Sequence, residues 1–274
     1  MDLAKLRDTP HLSVSAISDY MDCGLLFKFS RVDRLAPEFK SDALLYGTAV
    51  HAVLAEFYEG LKTTGQKMTA KQLQEVFEIH WQRLALDREY IKYKPDKDYD
   101  TLLLEGKELL SIFHQKIPED EGEIIGIEQA FQFWLDGLPI PIIGAYDLVL
   151  EDAAKIITIV DHKTTAKAYV NAEVDRNFQM TIYHMGARAN GYEDREVLLR
   201  LDCLVKTKTP KFEQYYSTRS SVEEMKAARK ILAVWDGITK GVFIPNDLSW
   251  KCAGCGYKKA CQEWFEGGEY GQEE

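Results

Sequence analysis

The sequence predicts an α/β fold, a central mixed β-sheet flanked by helices, in a single domain spanning residues 1–274. Three observations carry that prediction. Short apolar or alternating runs bounded by Gly, Pro and Asp cluster between residues 122 and 165 and again between 197 and 216, with the period and length of strands. Stretches with apolar residues three and four apart lie on either side of them, as in amphipathic helices. No internal repeat and no Pro/Gly/Ser-rich linker divides the chain, and 46% hydrophobic residues among 274 suffice for a sizeable core.

Taken in order, Ser13 and Ser15 precede ISDYMDCGLLFKF, where Ile17, Tyr20, Met21, Leu25 and Phe29 recur at helical spacing behind a serine N-cap. A short helix carrying Cys23 is expected there. A second helix begins near Ala43 and runs through LLYGTAVHAVLAEFYEGLK, with Leu45, Ala49, Val53, Phe57 and Leu61 facing inward and His51 in its first half. Residues 69–116 are charged and helically periodic, broken by KPDKDYD, and read as two solvated helices around a loop. Residues 62–120 are accordingly taken as a helical insertion. GEIIGIEQAFQFWL, IPIIGAYDLVLED and KIITIVDHKTT read as three consecutive strands in two hairpins. FQMTIYHMGARANG has a helix's period and a glycine stop, VLLRLDCLVKTKTPKFEQYY alternates like further strands, and a helix follows from about Ser221 to Lys240. Residues 250–264, WKCAGCGYKKACQEW, show no periodicity and lead into a polar acidic tail.

Composition narrows the function. The formal net charge is −10, from 34 Lys and Arg against 44 Asp and Glu, so the surface is not a general basic coat for nucleic acid. A local basic element remains: VKTKTPK brings Lys206, Lys208 and Lys211 close together, with Lys206 and Lys208 expected on one strand face. Lysines on an exposed edge strand also block aggregation, so the pattern has two readings. No run approaches 18 apolar residues and MDLAKLRDTP has no apolar signal core, so the expectation is a cytoplasmic protein without membrane insertion. There, five cysteines suggest metal binding before disulfides.

Asp147 sits in GAYDLVL, and the next strand supplies Asp161 and Lys163 in VDHKTT. Period-two alternation puts Asp161 and Lys163 on one face, and turns His162 away while leaving its backbone carbonyl near that face. If the two strands form a hairpin, Asp147 approaches Asp161, and two carboxylates, a carbonyl and an ammonium converge. Such a set suits Mg²⁺ or Mn²⁺, hard cations that neutralise paired carboxylates and polarise a phosphoryl oxygen. For D-x-K alone, strand-end aspartates and a surface lysine remain the other reading. Glu128, one strand earlier, has two readings, an added acidic ligand or, more simply, the solvent face of an edge strand, and is left outside the core set.

Cys252, Cys255 and Cys261 give C-x2-C-x5-C, three thiolates that need a fourth ligand. Cys203 lies in the apolar run LRLDCLV and reads as a small buried hydrophobe, which leaves Cys23 as the better candidate. Four thiolates suit zinc or an iron-sulfur cluster. Around them Trp250, Lys251, Tyr257, Lys258, Lys259 and Trp264 either stack on single-stranded DNA or shield the metal.

The ordered set of Gly47 with His51 (G-x-x-x-H), Gly144 with Asp147 (G-x-x-D), Asp161 with Lys163 (D-x-K) and Gln179 with Tyr183 (Q-x-x-x-Y) resembles the RecB-like branch of the PD-(D/E)XK nucleases. LSVSAISDYMDCGLLFKF looks like that branch as well, and the resemblance runs from Leu12 to Trp264, weakest in the insertion. It implies a restriction-endonuclease-like core and a metal-dependent DNA nuclease. The activity implied is exonucleolytic, on DNA ends in recombination, repair or mobile-element processing, by metal-activated water and without a covalent intermediate. The metal would be held by His51, Asp147, Asp161 and the His162 carbonyl, with Asp147, Asp161 and Lys163 catalytic and Gln179 and Tyr183 supporting the site and contacting the DNA backbone. Asp161 stands where the family more often has Glu, one methylene shorter. The split cysteines are similar to those of CRISPR-associated RecB-like nucleases and the AddB nuclease domain, which implies a 4Fe-4S cluster on Cys23, Cys252, Cys255 and Cys261 joining residues 250–264 to the N-terminal region. Gly24 replaces the usual proline after the first cysteine and is expected to loosen that turn. The implied partners are DNA, single-stranded or with free ends, and a helicase or recombination protein. The competing classes are a non-catalytic nucleic-acid-binding module and a zinc-stabilised interaction protein.

Overall fold

A computed structural model describes residues 2–119 and 122–267; most of the polar acidic tail lies outside the described residues. Strands β4 (Glu123–Phe133), β5 (Ile142–Glu151), β6 (Ile157–Thr165), β7 (Val197–Val205) and β8 (Lys211–Ser217), with the two-residue β1 (Leu12–Ser13), form one mixed sheet. A second pair, β2 (Lys40–Ser41) and β3 (Ile91–Lys92), runs parallel beside it. The helices are α1 (Leu3–Arg7), α2 (Val14–Asp22), α3 (Gly24–Phe27), α4 (Asp42–Thr64), α5 (Ala70–Leu84), α6 (Tyr99–Lys116), α7 (Asn171–Asp175), α8 (Phe178–Ala187), α9 (Ser221–Thr239) and α10 (Lys258–Phe265). Among the described residues no helix is long and apolar enough to cross a membrane.

Helices cover both faces of the sheet, and each face has its own core. On one, Phe57, Phe77, Trp81, Leu110 and Phe113 from α4, α5 and α6 close over Leu148, Leu150, Val160 and Leu204. On the other, Ile17, Met180 and Ile231 from α2, α8 and α9 pack on Phe131, Tyr146, Ile159 and Leu201. The expectation of solvated helices over residues 69–116 is therefore corrected: α5 and α6 are amphipathic, and Phe77, Trp81, Leu110 and Phe113 are completely buried. Burial of each such side chain stabilises by about 1.5–3 kcal/mol. Charges on the opposite faces obscured the stripe. Both long helices start as the sequence dictates, with Ser41 capping α4 through Leu44 N–H and Thr69 with Gln72 forming a capping box on α5.

The N-terminal helix does not run through Cys23. That residue is extended (φ −163°, ψ 112°), ends α2 and caps α3, its Sγ accepting from Leu26 N–H. The break has a cause across the chain: Gly24 N–H donates to Ile244 O at 2.9 Å, and a Cβ on Gly24 would lie 2.7 Å from Ile244 N. A proline here would lose the hydrogen bond, so Gly24 tightens this junction where a loosened turn was expected. Near the C-terminus, a single 3₁₀ turn (Trp250–Gly254) and α10 arise where periodicity was absent, since α10 spans only two turns.

The register of β5 sets up the site. It pairs antiparallel with β4 from Glu123↔Glu151 to Phe133↔Ile142. On its other side, β6 pairs only from Leu148↔Val160 to Glu151↔Ile157, while β1 takes Ile142 and Ile143. Beyond Val160, β6 continues alongside β7 as far as Thr165↔Val205. The sheet therefore forks at residues 144–147, the GAYD segment. Gly144 is required inside that segment, because a Cβ would meet the Phe131 ring at 2.5 Å.

Candidate active site

The fork places Asp147 on β5 and Asp161 on β6 across a gap that no ladder closes. Asp147 Oδ2 accepts from His162 N–H at 2.6 Å and lies 3.4 Å from His51 Nδ1 on α4. Asp161, almost completely buried, pairs through Oδ2 with the Lys163 ammonium at 2.7 Å. Gln179 of α8 ties this pair down: its Nε2 donates to Asp161 Oδ1 at 3.0 Å and to Tyr183 Oη at 2.7 Å, and its Oε1 accepts from Lys163 at 3.1 Å. The i, i+4 spacing of Gln179 and Tyr183 puts both on one helix face. Tyr183 is buried, its ring edge-on to Phe131 and Tyr146, so its reach ends at Gln179.

The electrostatics follow from this packing. Burial raises the Asp147 carboxyl, but the hydrogen bond and charge of His51 and the neighbouring His162 outweigh it and hold its pKa low. Burial likewise opposes a charged His51, yet Asp147 and then Asp161 raise its pKa on balance. Asp161 is raised, mainly by burial and further by Asp147, with Lys163 opposing. Lys163 is raised because the Asp161 carboxylate overcomes the cost of its burial. It is therefore a firm ammonium at neutral pH, suited to stabilising negative charge and unsuited to removing a proton. His162, buried and stacked on Tyr58, has its pKa pushed down to about 3, chiefly by burial, and is neutral. Its ring lies away from Lys163 as alternation requires, while its N–H, unforeseen in the sequence, orients Asp147.

Glu128 is exposed on β4, which pairs only with β5, as expected of an edge strand's solvent face. Its carboxylate keeps access to solvent, but one ligand atom each from His51, Glu128 and Asp147 lie within 4.8 Å of one another. Its backbone has φ +45°, a left-handed conformation that costs a non-glycine residue about 1–3 kcal/mol. Only the β4–β5 register reveals the proximity, since Ile127↔Leu148 and Gln129↔Tyr146 bracket Glu128 opposite Asp147. One imidazole and two carboxylates fit a divalent cation such as Mn²⁺ or Mg²⁺.

Cys23, Cys252, Cys255 and Cys261 line one cavity of about 460 Å³ with Leu25 and Phe29. Asn246 N–H donates to Cys23 Sγ at 3.4 Å, and Cys252 Sγ–H donates to Asn246 O at 3.3 Å. Burial and then the neighbouring cysteines raise the Cys261 thiol. Cys203 is buried in β7 away from them, as expected of a small hydrophobe. Of the flanking aromatics, the Tyr257 ring lies against Phe29 and Trp264 is exposed; the Trp250 side chain lies outside the described residues.

Lys206 and Lys208 do not share a strand face, because β7 ends at Val205 and both lie in the turn before β8. Lys206 N–H bonds to Thr165 O at the end of β6, and its half-buried ammonium sits over the Tyr46 ring at 4.2 Å. Burial, then Lys94, push its pKa down to about 8. Lys208 is exposed.

The comparisons agree with this architecture. Residues 11–262 match the PD-(D/E)XK nuclease superfamily, and the chain belongs to it. Nucleases of this superfamily use divalent metals. The solved structure of an Eubacterium rectale protein described as "Putative exonuclease" aligns at a TM-score of 0.53 with 15% identity, covering 89% of this chain and 87% of that one, and shares the fold. A second solved structure, SSO0001, is 13% identical over 82% of this chain and 87% of its own at a TM-score of 0.36, too slight to define a fold. No curated protein matches the chain.

Proposed function

We propose that this protein is a metal-dependent deoxyribonuclease, an exonuclease working from DNA ends in recombination, repair or mobile-element processing. The observation that carries the reading is the fork, where Asp147 and Asp161 stand on the two parting strands just beyond their last paired residues and the Lys163 ammonium is 2.7 Å from Asp161. His51, Asp147, Asp161 and the His162 carbonyl would hold Mg²⁺ or Mn²⁺, which when bound supplies Lewis acidity toward the phosphoryl group and a reactive hydroxide near neutral pH. The chain's own residues do the rest. Lys163 offers its fixed positive charge to the phosphoryl oxygens as negative charge develops on them. Gln179 keeps Lys163 and Asp161 in register, so the ammonium needs no reorganisation. His162 N–H holds Asp147 in its rotamer. Lys206 and Lys208, in the turn between β7 and β8, are assigned to backbone phosphates, which an acidic protein must meet with local positive charge. The exonuclease assignment is also the description of the Eubacterium rectale neighbour. The chemistry calls for a helicase or recombination protein as partner, since ends must be exposed before they are trimmed.

The four cysteines are assigned to a 4Fe-4S cluster that ties the N-terminal helices to the C-terminal segment. Incubating protein purified without oxygen with end-labelled single- and double-stranded DNA, with and without Mn²⁺ or Mg²⁺, tests the activity. Metal-dependent mononucleotide release or a shortening ladder is expected; no cleavage of either substrate with either metal overturns the reading. Brown protein with broad visible absorption is expected from the cluster, and colourless protein carrying one zinc per chain overturns that assignment.

A further inference from the structure

Arg219 lies between β8 and α9 and is buried, yet among the described residues no carboxylate forms an ion pair with it. All five of its N–H groups are instead matched to separate acceptors. Nε donates to Thr181 Oγ1 at 2.8 Å, Nη1 to Ser217 Oγ at 2.6 Å and Thr218 O at 2.8 Å, and Nη2 to Val174 O at 2.9 Å and Asn177 O at 3.2 Å. Val174 is near the end of α7, Asn177 is the N-cap of α8, and Thr181 is in the next turn of α8. Gln179 lies between the last two, and at about 3.6 residues per turn it projects from the opposite side of α8 to Thr181. Arg219 therefore braces the back of the helical turn whose front reaches Asp161 and Lys163. Those two contacts of Gln179 measure 3.0 and 3.1 Å, and a shift of about 1 Å breaks them. Burying a charge is costly, and a hydrocarbon side chain would fill the junction at less cost. What a hydrocarbon cannot do is fix the ends of two helices and a strand against one planar fork.

We infer that Arg219 is a positioning residue for cleavage: it sets the rotation and height of the first turn of α8 and, through Gln179, the placement of the Lys163 ammonium against Asp161. Its effect on the rate rests on the nuclease reading. The brace itself rests on the donor geometry alone.

A readout independent of cleavage is the side-chain amide resonance of Gln179 in ¹⁵N-labelled, full-length, DNA-free protein, assigned by its loss in Gln179→Ala. Arg219→Lys keeps the charge and loses the fork, whereas Thr181→Val keeps the shape and loses one acceptor. Both are expected to shift or broaden the Gln179 resonance, and Thr181→Ser, which keeps the hydroxyl, to return it to the parent position. A resonance unmoved in Thr181→Val and in folded Arg219→Lys overturns the inference, however far the melting temperature falls. In cleavage assays Arg219→Lys should lower kcat by about tenfold or more with KM within about threefold of the parent. In the Gln179→Ala background the same substitution should lower kcat by less than about twofold, because nothing remains to be placed. Losses that multiply overturn the inference. If Arg219→Lys does not fold, Thr181→Val and Thr181→Ser carry the same measurements and the same cycle against Gln179→Ala. Parent protein that cleaves neither strand form, with a Gln179 resonance that answers to Arg219, removes the nuclease and keeps the brace; active parent with independent losses removes the brace and keeps the nuclease.

Discussion

The fork and the cysteine clasp hold the protein's two reactive groups of side chains, and they are built in opposite ways. The fork mounts Asp147, Asp161, Lys163, Gln179 and Tyr183 on strands and a helix that follow one another within 37 residues, with a buried core on both faces of the sheet. The clasp joins residues more than 220 positions apart across short helices and irregular chain, with Ile244, Leu248 and Phe265 exposed around it. The fork's scaffold has a core on either side of it, whereas under the proposed cluster the clasp's scaffold would depend on what its thiols hold. Substitutions in the fork should therefore remove chemistry and leave the fold, and substitutions in the clasp should remove the fold and chemistry with it.

The largest effect is expected at Lys163. Lys163→Gln should lower the cleavage rate by about 10³-fold, in line with loss of a preorganised charge at the transition state, while the protein melts within a few degrees of the parent. A variant that unfolds instead erases the distinction between the two regions. Next, Cys23→Ser should bleach the visible absorption and destabilise the protein by about 2–5 kcal/mol, the range for losing a long-range staple. A colourless variant with parent stability and cleavage would show that the clasp holds nothing up. Gly24→Ala forces a Cβ against Ile244 N, and about 1–3 kcal/mol of destabilisation with colour retained is expected from such overpacking. Denaturant titration reads this, and a neutral result would show that the 243–245 segment yields. The smallest effect belongs to Cys203→Ala, which should leave iron content and cleavage unchanged and cost about 1–2 kcal/mol for the small cavity in β7. Loss of iron there would draw Cys203 into the clasp and undo the assignment of Cys23.

How legible each region was in the sequence follows the same division. His51, Asp147, Asp161 and Lys163 were marked by spacing within or between periodic elements, because strand alternation and hairpin pairing translate short sequence distances directly into spatial ones. The nearness of Glu128 to Asp147 could not be read, because it depends on which β4 residue meets Asp147, and register is not written in either strand alone. His162 N–H escaped for a similar reason, being a backbone donor that no motif names. At the clasp, cysteine spacing singled out four residues that line one cavity, but not the break at Cys23, where Gly24 N–H bonds to Ile244 O some 220 residues away. The buried faces of α5 and α6 were hidden by the charges that flank Phe77, Trp81 and Phe113, and α10 was too short for periodicity to register.

The separation of the clasp's two halves along the chain also orders events in time. A ribosome releases chain from the N-terminus at about 5–20 residues per second. Cys23 and the whole of the fork, through Tyr183, have been added while Cys252 is still about 70 residues away, an interval of several seconds at that rate. A chain broken off within it carries every catalytic candidate yet has only one of the four clasp thiols. With the proposed cluster in the clasp, iron content per chain measures how much of a preparation was translated past Cys261.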